Sequence, residues 1–384
     1  MAIRVHTQLP YGNMCDVEVV QSSAPIELAF AAHPHGGPES LWFCFRIEND
    51  DGEPICPQVR LTLKHTETML GARQPGNMRP VIRRPGGDWE RLPTGQVDTL
   101  PDGRLTVSWT IAAPKPWADV AYCYPYGQPE VEALVEAAGG YWRVDTIGVS
   151  QKGRPLTRLA NDYGAPDATR PGLYLIARQH SGETPGSWVL DGMLRQMADF
   201  ADQAPLVWAV PLSNIDGVEQ GDYGKDNFPY DLNRAWGVEP MRHETLVIQR
   251  DIRRWQQRCK PALTIDFHAP GGCESYGVYC FLKNGSDKLR ELYAATREWT
   301  AAVQTGIGRQ YAAEDFHRIA TYPSRWTTPN FTAYCTQVIE VPSFSMETPY
   351  AMARDQLLQV ADYRAIGGRI ACAVVQKLQE SHTT

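Results

Sequence analysis

Paired cysteines are the first thing this sequence lacks. Its nine cysteines stand at 15, 44, 56, 123, 259, 273, 280, 335 and 372, an odd number with no C-x-x-C among them. Neither a disulfide framework nor a cysteine zinc site fits that scatter, so reduced thiols in a cytoplasmic protein are expected. No apolar run reaches the roughly 18 residues of a spanning helix, so no membrane contact is expected. The start, Met1-Ala2-Ile3-Arg4-Val5-His6-Thr7, lacks the apolar stretch of a secretory signal. Basic blocks are missing too. Lys and Arg number 37 against 44 Asp and Glu, a net charge of −7. That balance argues against a nucleic-acid partner, since phosphate binding needs a basic surface.

Several catalytic signatures are also absent. Gln179-His180-Ser181-Gly182 lacks the first glycine of a nucleophile elbow. Gly306-Ile307-Gly308 lacks the third glycine of a dinucleotide fingerprint, and there is no Walker A loop. His243-Glu244 begins like H-E-x-x-H, but Val247 stands where the second histidine is required.

What remains is a globular composition, 43% hydrophobic and 21% charged over 384 residues, long enough for two domains. Residues 1–125 carry short alternating runs at Cys15–Val20, Leu41–Ile47, Val59–Lys64, Leu105–Ile111 and Val120–Tyr124. Turn clusters such as Pro34-His35-Gly36-Gly37-Pro38, Asp50-Asp51-Gly52 and Pro101-Asp102-Gly103 separate them. This pattern predicts a β-sandwich domain. Residues 126–384 alternate strand and helix patterns. Strands are expected at Leu173–Arg178, Leu206–Leu212, Leu263–Phe267 and Thr336–Val341. Helices are expected at Pro129–Ala138, Ser187–Phe200, Glu244–Gln257, Ser286–Val303 and within Gln356–Gln379. The fold class is therefore α/β: a sandwich followed by a mixed, mostly parallel sheet with helices on both faces.

In such sheets, sites form at the carboxyl ends of strands. His180 follows one predicted strand, with Glu183 three positions on. His268 ends Thr264-Ile265-Asp266-Phe267-His268. Two imidazoles and one carboxylate leave a fourth zinc position open, the mark of a catalytic site. Such a site needs a carboxylate to take a proton from water and pass it on. Glu340, inside the apolar Gln337-Val338-Ile339-Glu340-Val341, is the candidate base. Glu347 is the weaker choice, because Met346-Glu347-Thr348-Pro349 reads as an exposed loop. Asn233-Arg234 follows a Pro/Gly-rich stretch, and arginine grips a carboxylate through two N–H groups. Asp231 is placed to accept the second N–H of a ligand histidine.

These segments resemble the zinc carboxypeptidases of the M14 type, and most closely the cytosolic carboxypeptidase (Nna1-like) branch. The branch carries H-P-G-E followed by a helix with Ser-Trp, here His180-Ser181-Gly182-Glu183 and Ser187-Trp188. Its P-x-x-N-P-D-G-V is similar to Pro211-Leu212-Ser213-Asn214-Ile215-Asp216-Gly217-Val218. D-L-N-R matches at 231–234, D-F-H matches at 266–268, and Y-x-Y-P-Y matches at Tyr122–Tyr126. The resemblance implies one zinc per chain held by His180, Glu183 and His268, with Glu340 as general base. It implies that Asn233 and Arg234 hold a terminal carboxylate and that Asp231 supports a ligand histidine. The expected substrate is a peptide or protein C-terminus.

Two prolines of the family motifs are replaced, by Ser181 and Ile215. The arginine of the family's G-N-Y-R, which polarises the scissile carbonyl, is missing from Gly221-Asp222-Tyr223-Gly224-Lys225. Lys225 is the candidate substitute, and Tyr322 is a guess for a tyrosine near the leaving group. With Lys225, Arg234, Arg318 and Arg325 within reach of the pocket, a preference for acidic C-terminal residues is expected. The alternative function is a zinc amidohydrolase acting on small N-acyl amino acids or cell-wall peptides. A non-catalytic binding protein on the same scaffold is the third reading.

Overall fold

Alternating apolar residues build the first part of the chain into two sheets. The computed structural model describes residues 3–49, 57–282, 289–321 and 326–380. Tyr322, Arg325, Cys56, the Asp50-Asp51-Gly52 turn and the first residues of the helix expected from Ser286 lie outside the described residues. The early strands are β1 (Ile3–His6), β2 (Cys15–Val20), β3 (Ile26–Ala31), β4 (Cys44–Asn49), β5 (Gln58–Leu63), β6 (Val81–Arg83), β7 (Glu90–Arg91), β8 (Gln96–Thr99), β9 (Leu105–Ala112) and β10 (Trp117–Ala121). They form two five-stranded sheets, ordered β1-β4-β10-β6-β7 and β2-β3-β5-β9-β8. Phe30 of one sheet meets Phe45 of the other edge-on, ring centroids 4.7 Å apart. Aromatic pairs of this kind close a sandwich core.

The later strands are β11 (Arg143–Val149), β12 (Pro155–Ala160), β13 (Pro171–Ala177), β14 (Leu206–Val210), β15 (Lys260–His268), β16 (Val278–Leu282), β17 (Ala312–Ile319) and β18 (Ser343–Glu347). They form one eight-stranded sheet, ordered β11-β12-β14-β13-β15-β18-β16-β17. The central run β14-β13-β15-β18 is parallel, as is β16 with β17. The β11–β12, β12–β14 and β16–β18 pairs are antiparallel. The sheet is thus mixed and mostly parallel, as the sequence pattern predicts. A small hairpin, β19 (Met352–Ala353) with β20 (Gln356–Leu357), follows.

The helices are α1 (Gln128–Ala137), α2 (Thr184–Phe200), α3 (Ile215–Gln220), α4 (His243–Gln256), α5 (Arg290–Ile307), α6 (Phe331–Gln337) and α7 (Val360–Glu380). The period-2 alternation of β13 sorts its side chains between two cores. Leu173, Leu175 and Ala177 join a cluster with residues of α2, α5 and α7. Tyr174 and Ile176 join a second cluster with Ile248, Ile252 and Trp255 of α4 and Phe331, Tyr334 and Cys335 of α6. Helices therefore cover both faces.

The first cluster also runs through the sandwich. Its joint is the tyrosine-rich segment after β10. Tyr122 packs edge-on against Tyr350, Tyr124 against Tyr363, and Tyr126 against Trp188 of α2. The Tyr122 hydroxyl donates to the Gly272 carbonyl at 2.5 Å.

One element departs from expectation. Thr336–Val341 is not a strand. Asn330 caps α6 by accepting from the Ala333 N–H, the helix runs to Gln337, and a turn follows in which Glu340 has φ 57°. Pro342 has no N–H to give a ladder and stands just before the real strand, β18. Within β18, Phe344 and Met346 enter the core. Ser345 and Glu347, on the other face of the pleat, line the cavity described next.

Candidate active site

Five chain segments meet at one edge of the parallel core. β13 ends at Ala177, and His180 and Glu183 follow before α2. β15 ends at His268, which sits in register opposite Glu347, the last residue of β18. The loop after α3 supplies Lys225, and the turn at 231–234 supplies Asp231, Asn233 and Arg234.

The backbone leading into the first segment is unusual. Arg178 adopts φ 63°, a left-handed conformation rare outside glycine. Its buried guanidinium donates to the Ser181 carbonyl at 2.8 Å through Nε and to the Tyr126 carbonyl at 2.5 Å. Burial lowers its pKa to about 10. Gly182 has no room for a side chain. A Cβ there would lie 2.8 Å from the Tyr223 ring and 3.0 Å from Trp42, so this glycine permits close packing. Gly217 of the N-x-D-G segment is similar, since its Cβ would lie 2.3 Å from Ser181 Oγ. Asp216 beside it accepts from the Ser150 hydroxyl and Arg154, holding the β11–β12 hairpin.

His180, Glu183 and His268 come together as a buried cluster whose ligand atoms lie within 4.8 Å of one another. Glu183 Oε1 is 2.9 Å from His180 Nδ1, and its Oε2 is 2.7 Å from His268 Nδ1. Each imidazole turns its other nitrogen to a buried carboxylate. His180 Nε2 lies 3.2 Å from Asp231, and His268 Nε2 lies 2.7 Å from Asp266. That pairing keeps the Nε2 protons in place and leaves both Nδ1 atoms facing Glu183. The donor set fits one divalent cation with an open position.

The electrostatics agree. Burial alone would lower both histidines, but Glu183 with Asp231 raises His180, and Asp266 with Glu183 raises His268 well above its usual range. Burial would raise Glu183 and Asp231, yet neighbouring imidazole charge pulls both well below the usual carboxylate range. Glu347 goes the other way. Burial pushes it up to about 7, with His268 opposing and Glu183 adding to the rise. Four buried carboxylates around two imidazoles need positive charge beside them.

A cavity of about 400 Å³ opens on this cluster, lined by His180, Lys225, Asn233, Arg234, His268 and Glu347 among others. A second, of about 480 Å³, shares Lys225, Arg234 and Glu347 and is bordered by Glu39, Leu70 and Gly71 of the sandwich. Lys225 Nζ is 3.5 Å from Glu183 Oε1. Arg234 donates to the Asn233 carbonyl at 2.9 Å, which steers its side chain along the cleft.

Of the three expected metal ligands, the first-choice base, the Asn233-Arg234 pair, Asp231 and Lys225, the structure gathers seven: His180, Glu183, His268, Asp231, Asn233, Arg234 and Lys225. Glu340 is the exception and is corrected here. It is exposed, lies on the turn after α6 and lines neither cavity. The buried carboxylate beside the cluster is Glu347. The apolar β-branched run Val338-Ile339-Glu340-Val341 imitates a strand. The signal that points to Glu347 is the alternation Ser343-Phe344-Ser345-Met346-Glu347, ending in a carboxylate as β15 ends in His268. Sequence reasoning also passed over Asp266 and Gln179. The i, i+2 spacing of Asp266 and His268 on one strand face was available as a sign of the first.

Fold and cluster can now be set beside known proteins, and what they are similar to is the metallo-carboxypeptidases. No family model matches the chain. Cytosolic carboxypeptidase 6 of Homo sapiens is 28% identical over 236 residues, covering 54% of this chain and 44% of that protein. Cytosolic carboxypeptidase 6 of Caenorhabditis elegans is 25% identical over 371 residues, 85% of this chain and 78% of that protein. The chain thus spans less than half of the human relative's length. A metallo-carboxypeptidase structure from Burkholderia cenocepacia superposes with a TM-score of 0.76 at 18% identity, covering 99% of this chain and 100% of the other. The resemblance read from the motifs is borne out: the chain's relatives include proteins named cytosolic carboxypeptidases, and its fold is that of the solved metallo-carboxypeptidases.

Proposed function

We propose that this protein is a zinc-dependent carboxypeptidase that hydrolyses the last peptide bond of a peptide or protein. The observation that carries the reading is one cleft holding a His-Glu-His cluster, an arginine-asparagine pair and a buried, easily protonated carboxylate. His180, Glu183 and His268 would hold the ion. When bound, it supplies a Lewis acid for the water and the scissile carbonyl. Arg234 and Asn233 grip the terminal carboxylate and so set which bond lies over the cluster. Glu347 takes a proton from the attacking water and hands it to the leaving amine; a carboxyl near neutral pKa suits both transfers. Lys225 lends positive charge where the carbonyl oxygen becomes negative. Asp231 and Asp266 keep the histidines in the ligating tautomer.

A preference for acidic C-terminal residues is the finer reading. Lys225 and Arg234 support it. Arg318 contributes less, because it lies 3.7 Å over the Tyr279 ring and 3.8 Å from Glu274. A cytosolic location is carried over from the relatives' names, and no helix of the described residues is long and apolar enough to cross a membrane.

The test is mass spectrometry of a mixed peptide library after incubation with zinc-loaded wild type and with Glu347→Gln. Single residues lost from C-termini by wild type alone are expected, and their identities test the acidic preference. An untouched library despite bound zinc would overturn the peptidase reading in favour of a small-molecule amidohydrolase.

A further inference from the structure

Gln179 stands between Arg178 and the ligand His180 and is fully buried. Its carboxamide ties the 233–236 segment to Asp266, two residues before the ligand His268. Oε1 accepts from Trp236 Nε1 at 2.6 Å. An indole N–H only donates, so the oxygen end of the amide must face Trp236. Nε2 therefore faces the cluster, donating to Asp266 Oδ2 at 2.6 Å and to Asn233 Oδ1 at 3.0 Å.

The direction propagates. Asn233 Oδ1 receives a second donor, the Phe331 backbone N–H, at 3.2 Å. With its oxygen held by two groups that can only donate, Asn233 must turn Nδ2 to the cleft side. There Nδ2 lies 3.1 Å from His268 Nε2. That nitrogen gives its own proton to Asp266 at 2.7 Å, so it is no acceptor for the amide. The Asn233 N–H groups are left for an acceptor in the cleft. On the other branch, Gln179 and His268 share Asp266 Oδ2, while Asp266 Oδ1 has no hydrogen-bond partner among the described residues. Gln179 is thus a main restraint on the carboxylate that orients His268.

We infer that Gln179 is a positioning residue with two outputs. It aims the Asn233 amide so that a donor faces the substrate's carboxylate, and it holds Asp266 against His268 and so sets metal affinity. The first output rests on the carboxypeptidase reading of the cleft; the second stands without it.

The experiment compares wild type, Gln179→Met and Trp236→Phe by zinc competition against a chromophoric chelator, thermal melting, and KM and kcat on a peptide with a free C-terminus. Gln179→Met is expected to weaken zinc about 10-fold to 100-fold, the range for groups that orient metal ligands. KM is expected to rise about tenfold with kcat reduced less, the split that marks lost ground-state binding. Trp236→Phe removes the donor that directs the amide, and both Nε2 bonds depend on that direction, so it should raise KM and weaken zinc together, each by less than Gln179→Met. A purely structural Gln179 would lower the melting temperature with zinc affinity and KM both within twofold of wild type, and that result overturns the inference. If Gln179→Met does not fold, an unchanged KM in Trp236→Phe overturns the aiming role. If wild type cleaves no peptide, the zinc titration still decides the second output by itself.

Discussion

Glu340 and Glu347 lie on one short stretch of chain and occupy opposite environments, the first in solvent on a left-handed turn, the second buried beside His268. Their substitutions should therefore differ sharply. Glu347→Gln is expected to lower kcat by about 10²-fold to 10⁴-fold with zinc still bound, the usual contribution of a positioned acid–base group. Glu340→Gln should stay within twofold of wild type in the same steady-state assay. Arg234→Lys keeps a positive charge but loses the planar fork, so kcat/KM should fall roughly 10-fold to 100-fold, mostly through KM. Asp231→Asn leaves His180 Nε2 facing an amide. It should weaken zinc by about 10-fold to 100-fold in a chelator competition, with less effect on KM than Arg234→Lys.

The placement of β18 makes a prediction about stability. Val338 is 42% exposed on the turn, whereas Phe344 is fully buried in the strand. Phe344→Ala should cost about 3–5 kcal/mol in denaturant unfolding, and Val338→Thr should stay within about 0.5 kcal/mol. A strand at 336–341 would have reversed that order. The same region shows where sequence reading works. Strands such as β13 and β15, apolar throughout and flanked by turn residues, are legible because both faces are buried. The His-Glu-His cluster is legible because His180 and Glu183 follow β13 three and six positions beyond its end and His268 closes β15. What escapes is a matter of competition between neighbours. Two apolar segments flank Pro342, and only tertiary packing decides which joins the sheet. Gln179 escapes for another reason: a buried amide has no periodicity, and its partners lie far along the chain.

On the scale of the whole molecule, the sandwich and the eight-stranded sheet share one hydrophobic cluster, and the tyrosines at 122, 124 and 126 are their joint. A fragment of residues 126–384 would expose that joint. It should fail to give a cooperative melt, whereas the full chain should unfold in a single calorimetric transition. Chelation should lower that transition, because an ion bound only by the folded state stabilises it by mass action. The seam also reaches the cleft. Leu70 accepts from the Gly272 N–H at 2.9 Å, and a Cβ on Gly71 would lie 2.5 Å from Gly271 Cα, immediately beyond the strand that ends in His268. The sandwich therefore contributes Glu39, Leu70 and Gly71 to the rim of the second cavity, and the later part of the chain contributes the rest. The amino-terminal third of the chain can change what enters the cleft without touching a residue of the His-Glu-His cluster. A chimera carrying a relative's sandwich would keep this chain's chemistry and acquire another protein's doorway.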